Sequence, residues 1–455
     1  MTNVWDSVFG LKENQTTARR ELLAAVTTFM TMAYIIAVNP GILGDSKNLP
    51  PVSTLTQQPV CMPIEGVMAA TCLASAIACF VMGLVARYPF ALAPGMGINA
   101  YFAYVVASKY GYQVALGAVF LAGMTFLILT FLRIRQLIID AVPAVLKHSV
   151  AAGIGLFIAL IGFQNAGLVV ASKATLVTSF GVLTRPLLVA VFGLALMIVF
   201  YSLRIRGAIL IGIVAATILA LCLGVAKPPE LVEGQPWYAR FVAMPSFSVF
   251  GQLDVRGALG VGLLEVIFAF LFVGMFDAVG TVIGLADRAG FLREGKLPRS
   301  TQVLASDATG TVVGSVLGTS TVTAYIESAA GIEEGGRTGL TAIFVGFFFL
   351  AAMFFSPIVK IIPPPATAPA LIVVGAMMIS CIKDIAWDDP TEMVPAFLVM
   401  AAMPFFYNIA QGIAMGFIFY PVAKVAAGRA REVHWLVYLL GALFILRFIF
   451  LGHIA

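Results

Sequence analysis

Fifteen apolar runs fill this chain, most of them long enough to cross a bilayer, and little sequence is left between them. They lie near 21–43, 64–86, 90–108, 112–132, 143–164, 186–203, 207–226, 258–286, 302–317, 321–332, 338–361, 367–382, 391–407, 409–427 and 433–453. A membrane helix needs about 20 such residues. Inside the hydrocarbon every backbone polar group must find its partner within the protein. Runs of this length therefore specify an all-α polytopic membrane protein. Composition agrees, with 61% hydrophobic and 11% charged residues in 455, against about 25% charged in an ordinary soluble domain. Mean hydropathy is +1.01. The longest weakly hydrophobic stretches, 44–63, 227–257 and 287–302, are loops and leave no room for a separate soluble domain.

The net charge of +5 says less than its placement. Arg19 and Arg20 precede the first run. Arg87, then Arg133 and Arg135, then Arg204 and Arg206, then Arg288, Arg293, Lys296 and Arg299 follow alternate runs. That alternation is the positive-inside pattern and sets the N-terminus in the cytoplasm of a multi-pass cell-membrane protein. The basic patches thus argue topology, and no nucleic-acid partner is expected. The first run is too long for a cleavable signal peptide and lacks a small-residue cleavage site. The five cysteines are scattered, and Cys72 and Cys79, seven apart on one helix face, read as packing residues.

Two runs are interrupted. The third holds Pro89, Pro94, Gly95 and Gly97 before Asn99; the tenth opens on Gly318 and the threonine-rich stretch to Ala324 before Glu327. Each begins extended and then starts a short helix. Broken helices persist in a membrane only where protein buries them or where they line a cavity. A pair of them in corresponding halves points to a transporter's central site. The tenth segment is third in a second set of seven, so the spacing predicts about 14 transmembrane segments in two inverted seven-helix repeats. The last three runs, 391–407, 409–427 and 433–453, exceed that count by one.

Ionisable groups inside spans are rare and usually functional. Asp277, Asp307 and Glu327 qualify, each among Gly, Ser and Thr. Gly274, Asp277 and Thr281 share one helix face by their spacing. Glu327, near the start of a short helix, is favoured by backbone dipoles. Each acid fits either a proton carrier or a static hydrogen bond between helices. Asn99 fits a ligand contact or a cap for broken backbone equally well. Glu265 shares the apolar run of Asp277 without an assigned role. Glu333, Glu334 and Arg337 read as a solvated turn. His148, His434 and His453 form no cluster, and no metal spacing, nucleophile–base pair or phosphate loop is present. Catalysis and cofactors therefore have no support.

Four stretches carry a family signature: Thr27–Pro40 (TTFMTMAYIIAVNP), Ala93–Tyr101 (APGMGINAY), Phe276–Thr281 (FDAVGT) and Gly318–Gly331 (GTSTVTAYIESAAG), with Gly335–Ala342 (GGRTGLTA) behind them. Together they resemble the AzgA-like branch of the nucleobase–ascorbate transporters, over essentially the whole chain. Its members are hypoxanthine, guanine and adenine permeases. The resemblance implies a core domain from segments 1–4 and 8–11 (1–136 and 255–362) and a gate domain from segments 5–7 and 12–14 (137–254 and 363–455). It implies proton symport, an elevator-like shift of core against gate, a homodimer in the lipid bilayer, and hypoxanthine and guanine as cargo ahead of adenine. The substrate contacts it implies are Asn99, Asp277, Thr281, Glu327 and Ser328, with Asp277, Asp307 and Glu327 coupling the proton. Backbone N–H groups near 93–97 and 325–327 are expected to meet the base, and Phe276 or Tyr325 to stack or pack. An anion carrier of the same architecture is the rival reading; two buried carboxylates weigh against it.

Overall fold

The computed structural model describes residues 4–46, 48–132, 141–172, 175–179, 182–228, 241–260, 263–292 and 297–451. Arg133, Arg135, Arg293, Lys296 and His453 lie outside the described residues, as do the side chains of Glu265, Phe276 and Arg288.

The apolar runs are helices, and the breaks fall where the sequence interrupts them. The first crossing is α1 (Ala18–Met32) and α2 (Ile35–Leu43), capped at its start by the Thr17 hydroxyl and interrupted at Ala33–Tyr34. There follow α3 (Ile64–Val81), the first broken segment with β1 (Leu92–Pro94) and α4 (Met96–Ala100), and α5 (Tyr112–Phe131). Next come α6 (Ala144–Asn165), α7 (Arg185–Ser202) and α8 (Ala208–Cys222). The second half runs α9 (Leu263–Arg288), α10 (Ser300–Leu317), the second broken segment, α12 (Gly339–Ala352), α13 (Pro364–Ile379), α14 (Pro390–Phe405) and α15 (Ile409–Ala426). That second broken segment holds β4 (Val322–Ala324) and α11 (Ser328–Glu333). A last helix, α16 (Trp435–Leu451), packs on α15.

Among the described residues nine helical stretches are long and apolar enough to cross a membrane, and Ala208–Cys222, Pro390–Phe405 and Trp435–Leu446 are shorter apolar helices. The chain is a multi-pass membrane protein. Its halves pack in mirrored fashion. In the first half α6 lies against α13, α14 and α15; in the second α13 lies against α6, α7 and α8. Likewise α3 packs on α12 as α5 packs on α10. The two halves approach closely at Gly155 and Gly375, on the paired helices α6 and α13. A Cβ on Gly155 would sit 2.6 Å from the Gly375 carbonyl oxygen, and one on Gly375 would sit 2.5 Å from that of Gly155. Small residues let membrane helices approach this closely. The fourteen segments before α16 account for the two sets of seven, and α16 is the surplus run that the hydropathy count carried.

One element was not anticipated. The connection from α6 to α7 holds an antiparallel hairpin, β2 (Val169–Ser172) with β3 (Leu176–Ser179), its Val–Val and Leu–Val–Thr residues suiting extended backbone.

Candidate functional site

The broken segments meet in the interior. β1 and β4 pair antiparallel, with Leu92 opposite Ala324, Ala93 opposite Thr323 and Pro94 opposite Val322. The pairing continues past both strands. The Gly95 N–H donates to the Thr321 carbonyl at 2.9 Å, and the Tyr325 N–H to that of Ala91 at 3.0 Å. Two three-residue strands thus satisfy backbone that would otherwise be stranded in a membrane. Part of the expected backbone donor set, at Gly95 and Tyr325, is consequently used within the protein. The Tyr325 hydroxyl is used too, donating to the Pro94 carbonyl at 2.5 Å.

Buried side chains hold this crossing in place. The Cys79 sulfur accepts from the Leu92 N–H at 3.2 Å, and the Ser328 hydroxyl from the Ala91 N–H at 3.0 Å. Asp307 is 2% exposed and accepts from the Ala324 N–H at 3.3 Å. The Thr311 hydroxyl donates to the Val322 carbonyl at 2.9 Å. Asn99 is fully buried in a second network. Its amide nitrogen donates to Asn39 Oδ1 at 2.7 Å, and its oxygen accepts from the Ser320 hydroxyl. Asn39 in turn donates to the Thr71 and Thr319 hydroxyls, at 2.7 and 2.9 Å. Both ends of the Asn99 amide are thereby committed to the first crossing and the second broken segment. Ser328 and Asp307 likewise spend hydrogen bonds on backbone.

Asp277, Thr281 and Glu327 stand differently. All three are partly buried. Asp277 faces the bend after β1: its Oδ2 lies 3.6 Å from where a Cβ on Gly95 would sit. Among the described residues no group donates a hydrogen bond to it. One turn earlier, Gly274 meets Phe126 and Ile98; further along, Gly284 meets Ile326. The Gly274–Asp277–Thr281 face therefore turns inward, toward α4, β4 and α11. Glu327 is the N-cap residue of α11, and its Oε1 accepts from the Tyr34 hydroxyl at 2.5 Å. Tyr34 comes from the break in the first crossing. It carries no local sign of this role, because its partner is 293 positions away.

Two hydroxyls complete the crossing. Thr321 and Thr323, 2% and 4% exposed, have Oγ1 atoms with no hydrogen-bond partner among the described residues. The Thr323 methyl is 2.9 Å from the same Gly95 position that Asp277 approaches. Asp277 and the Thr323 methyl thus flank a bend with no side chain, the Glu327 carboxylate caps the short helix that follows β4, and among the described residues nothing donates to Asp277. Such a site offers hydrogen bonds to a small polar molecule.

Comparison with known proteins gives this arrangement a context. The Permease family matches residues 19–415. A putative permease of Methanocaldococcus jannaschii is 50% identical over 98% of both chains. A guanine/hypoxanthine permease of Bacillus subtilis is 42% identical, over 97% of this chain and 99% of its own. An adenine permease of Escherichia coli is 41% identical, over 98% of this chain and 96% of its own. Among solved structures, the transmembrane domain of a cyanobacterium bicarbonate transporter superposes with a TM-score of 0.63 over 88% of this chain and 97% of that one. At 15% identity that likeness speaks for the fold alone.

Proposed function

The chain belongs to the nucleobase–ascorbate transporter family, in the AzgA-like branch of purine permeases, and on that premise we propose that it is a secondary active importer of purine nucleobases driven by proton symport. The observation that carries the proposal is the meeting of Asp277 and Glu327, from α9 and the second broken segment, at the β1–β4 crossing. A purine is flat, mostly neutral and edged with N–H groups and ring nitrogens. Asp277 and Glu327 accept from its N–H groups, and Thr281 lies on the same face as Asp277. Asn99 and Ser328 hold the broken backbone in register behind the base. Gain of a proton by one acid of the Asp277, Asp307 and Glu327 set removes the charge that the loaded site would otherwise carry through the membrane.

In this reading segments 1–4 and 8–11 are a core that shifts, elevator-like, against a gate of segments 5–7 and 12–14. The mirrored packing of α6–α8 against α13–α15 supports that division. The N-terminus is cytoplasmic, in a plasma or inner membrane, and the working unit is a homodimer. Hypoxanthine and guanine are preferred to adenine; relatives of both kinds lie at nearly equal identity, so the choice turns on one or two hydrogen bonds.

The rival is an anion carrier on the same fold. A cavity for sulfate or bicarbonate needs positive groups, and the crossing presents carboxylates. Thermal unfolding of purified protein separates the two. Hypoxanthine or guanine should raise the melting temperature and sulfate should leave it unchanged; stabilisation by sulfate alone would overturn the reading.

A further inference from the structure

A buried hydroxyl with no partner costs stability, so a protein that keeps one needs a reason. Thr28 has one: its Oγ1 is the atom that a Cβ on Gly331 would strike, at 2.0 Å, so the side chain fills the space where α1 meets α11. The Thr323 oxygen has no hydrogen-bond partner among the described residues. The methyl of that threonine does the packing, against Gly95, and the hydroxyl remains unused.

Four other side chains around the crossing are occupied as donors. The Tyr34 hydroxyl donates to Glu327, the Tyr325 hydroxyl to Pro94, the Ser320 hydroxyl to Asn99, and the Asn99 amide to Asn39. Asp277 and Glu327 only accept when ionised. A site built from these alone would receive N–H groups and offer no side-chain donor in return. A nucleobase edge sets acceptors, ring nitrogens or an exocyclic oxygen, beside its N–H groups. Thr323 and Asp277 approach the same Gly95 position, Thr323 by its methyl at 2.9 Å and Asp277 by Oδ2 at 3.6 Å, and the hydroxyl of that threonine has no partner among the described residues.

Resting on the purine-transport reading, we infer that Thr323 is a substrate-binding residue whose hydroxyl donates to an acceptor atom of the base while Asp277 accepts from a neighbouring N–H. The ligand class is a planar heterocycle that shows an N–H beside an acceptor. A hydroxyl rotates and can also accept, so this position tolerates an oxo or an amino substituent. Thr321, two residues earlier, meets the Gly95 position through its backbone carbonyl oxygen at 4.0 Å and is not assigned this role.

Two substitutions divide the side chain's two functions. Thr323→Val keeps the methyl on Gly95 and loses the hydroxyl; Thr323→Ser does the reverse. Both are reconstituted in proteoliposomes, and KM for radiolabelled hypoxanthine is read beside the melting temperature of the ligand-free protein. Thr323→Val should raise KM about five- to tenfold, as one neutral hydrogen bond does, while its melting temperature stays level or rises because an unpaired buried oxygen is gone. Thr323→Ser should stay within about threefold of wild type in KM, since it keeps that hydrogen bond. A wild-type KM in Thr323→Val, or a loss in Thr323→Ser as large as in Thr323→Val, overturns the assignment while wild-type uptake leaves the transport reading standing. Wild-type protein that neither imports nor is stabilised by hypoxanthine, guanine or adenine overturns both.

Discussion

The Tyr34 hydroxyl donates to Glu327 Oε1 at 2.5 Å, tying the break in the first crossing to the cap of the second short helix. The bond fixes the direction of a carboxylate that stands at the proposed site. A hydrogen bond to an ionised partner contributes about 1.5–3 kcal/mol. Tyr34→Phe should therefore lower hypoxanthine uptake at least about tenfold with normal amounts of protein in the membrane. Wild-type rates would show that Glu327 is positioned by something else.

Asn39 and Asn99 form a shared amide bridge between the first crossing and the first broken segment. Removing either leaves the other's polar groups buried and unmet, at about 1–3 kcal/mol. Asn39→Ala and Asn99→Ala should each lower the melting temperature of purified protein, and the double variant should lose less than the two losses combined. Full additivity would contradict the bridge.

Gly95 separates Thr323 from Asp277. Its φ is −73°, so alanine meets no backbone strain there. The new methyl would stand 2.9 Å from that of Thr323 and 3.6 Å from Asp277 Oδ2. Gly95→Ala should leave a folded protein that binds no purine, read as loss of uptake and of the purine-induced thermal shift together.

Lys424, 1% exposed, lies 3.2 Å from Glu392, 3.2 Å from Glu432 and 3.8 Å from Asp389. Arg429 completes the cluster, bonding Asp389 at 2.5 Å and Glu432 at 2.7 Å. The Thr391 hydroxyl and Arg429 hold the Asp389 carboxyl well below its ordinary value, and Arg429 lowers that of Glu432. A depressed carboxyl pKa contributes stability that is present above the unfolded value, about 4, and is lost as pH falls through the folded one. The melting temperature should be level above about pH 5 and fall below about pH 4. Lys424→Met should cost about 3 kcal/mol at neutral pH, as when a buried pair loses one member. Its acid loss should be shallower, because protonation then relieves the uncompensated carboxylates.

Much of this was legible in the chain. Pro94, Gly95 and Gly97, and the Thr–Ser–Thr run after Gly318, mark the two breaks because such residues stop a membrane helix at that point. Asp277, Asp307 and Glu327 stand out because charge inside an apolar run is rare. What stayed hidden depends on contacts distant in sequence. Nothing local distinguishes Tyr34 from any interfacial tyrosine, Asn39 from a helix residue before Pro40, or Thr323 from its threonine neighbours. Glu21 is similar: fully buried, it accepts from the Arg337 and Thr338 N–H groups at the start of α12, 316 and 317 positions away. The seven-plus-seven count was readable from the order of the breaks, but α8 and α14, at 15 and 16 residues, are short for spans, and only their packing gives them their places.

The central claim is that Asp277 serves a purine site at the β1–β4 crossing and that a proton drives its traffic. Uptake of radiolabelled hypoxanthine into proteoliposomes, under an imposed inward proton gradient, tests it most directly when wild type is set beside Asp277→Ala at equal reconstitution. The account predicts saturable wild-type uptake, competed by guanine more strongly than by adenine, abolished by an uncoupler, and absent from Asp277→Ala. Near-normal uptake by Asp277→Ala, or wild-type uptake indifferent to the gradient, would contradict it.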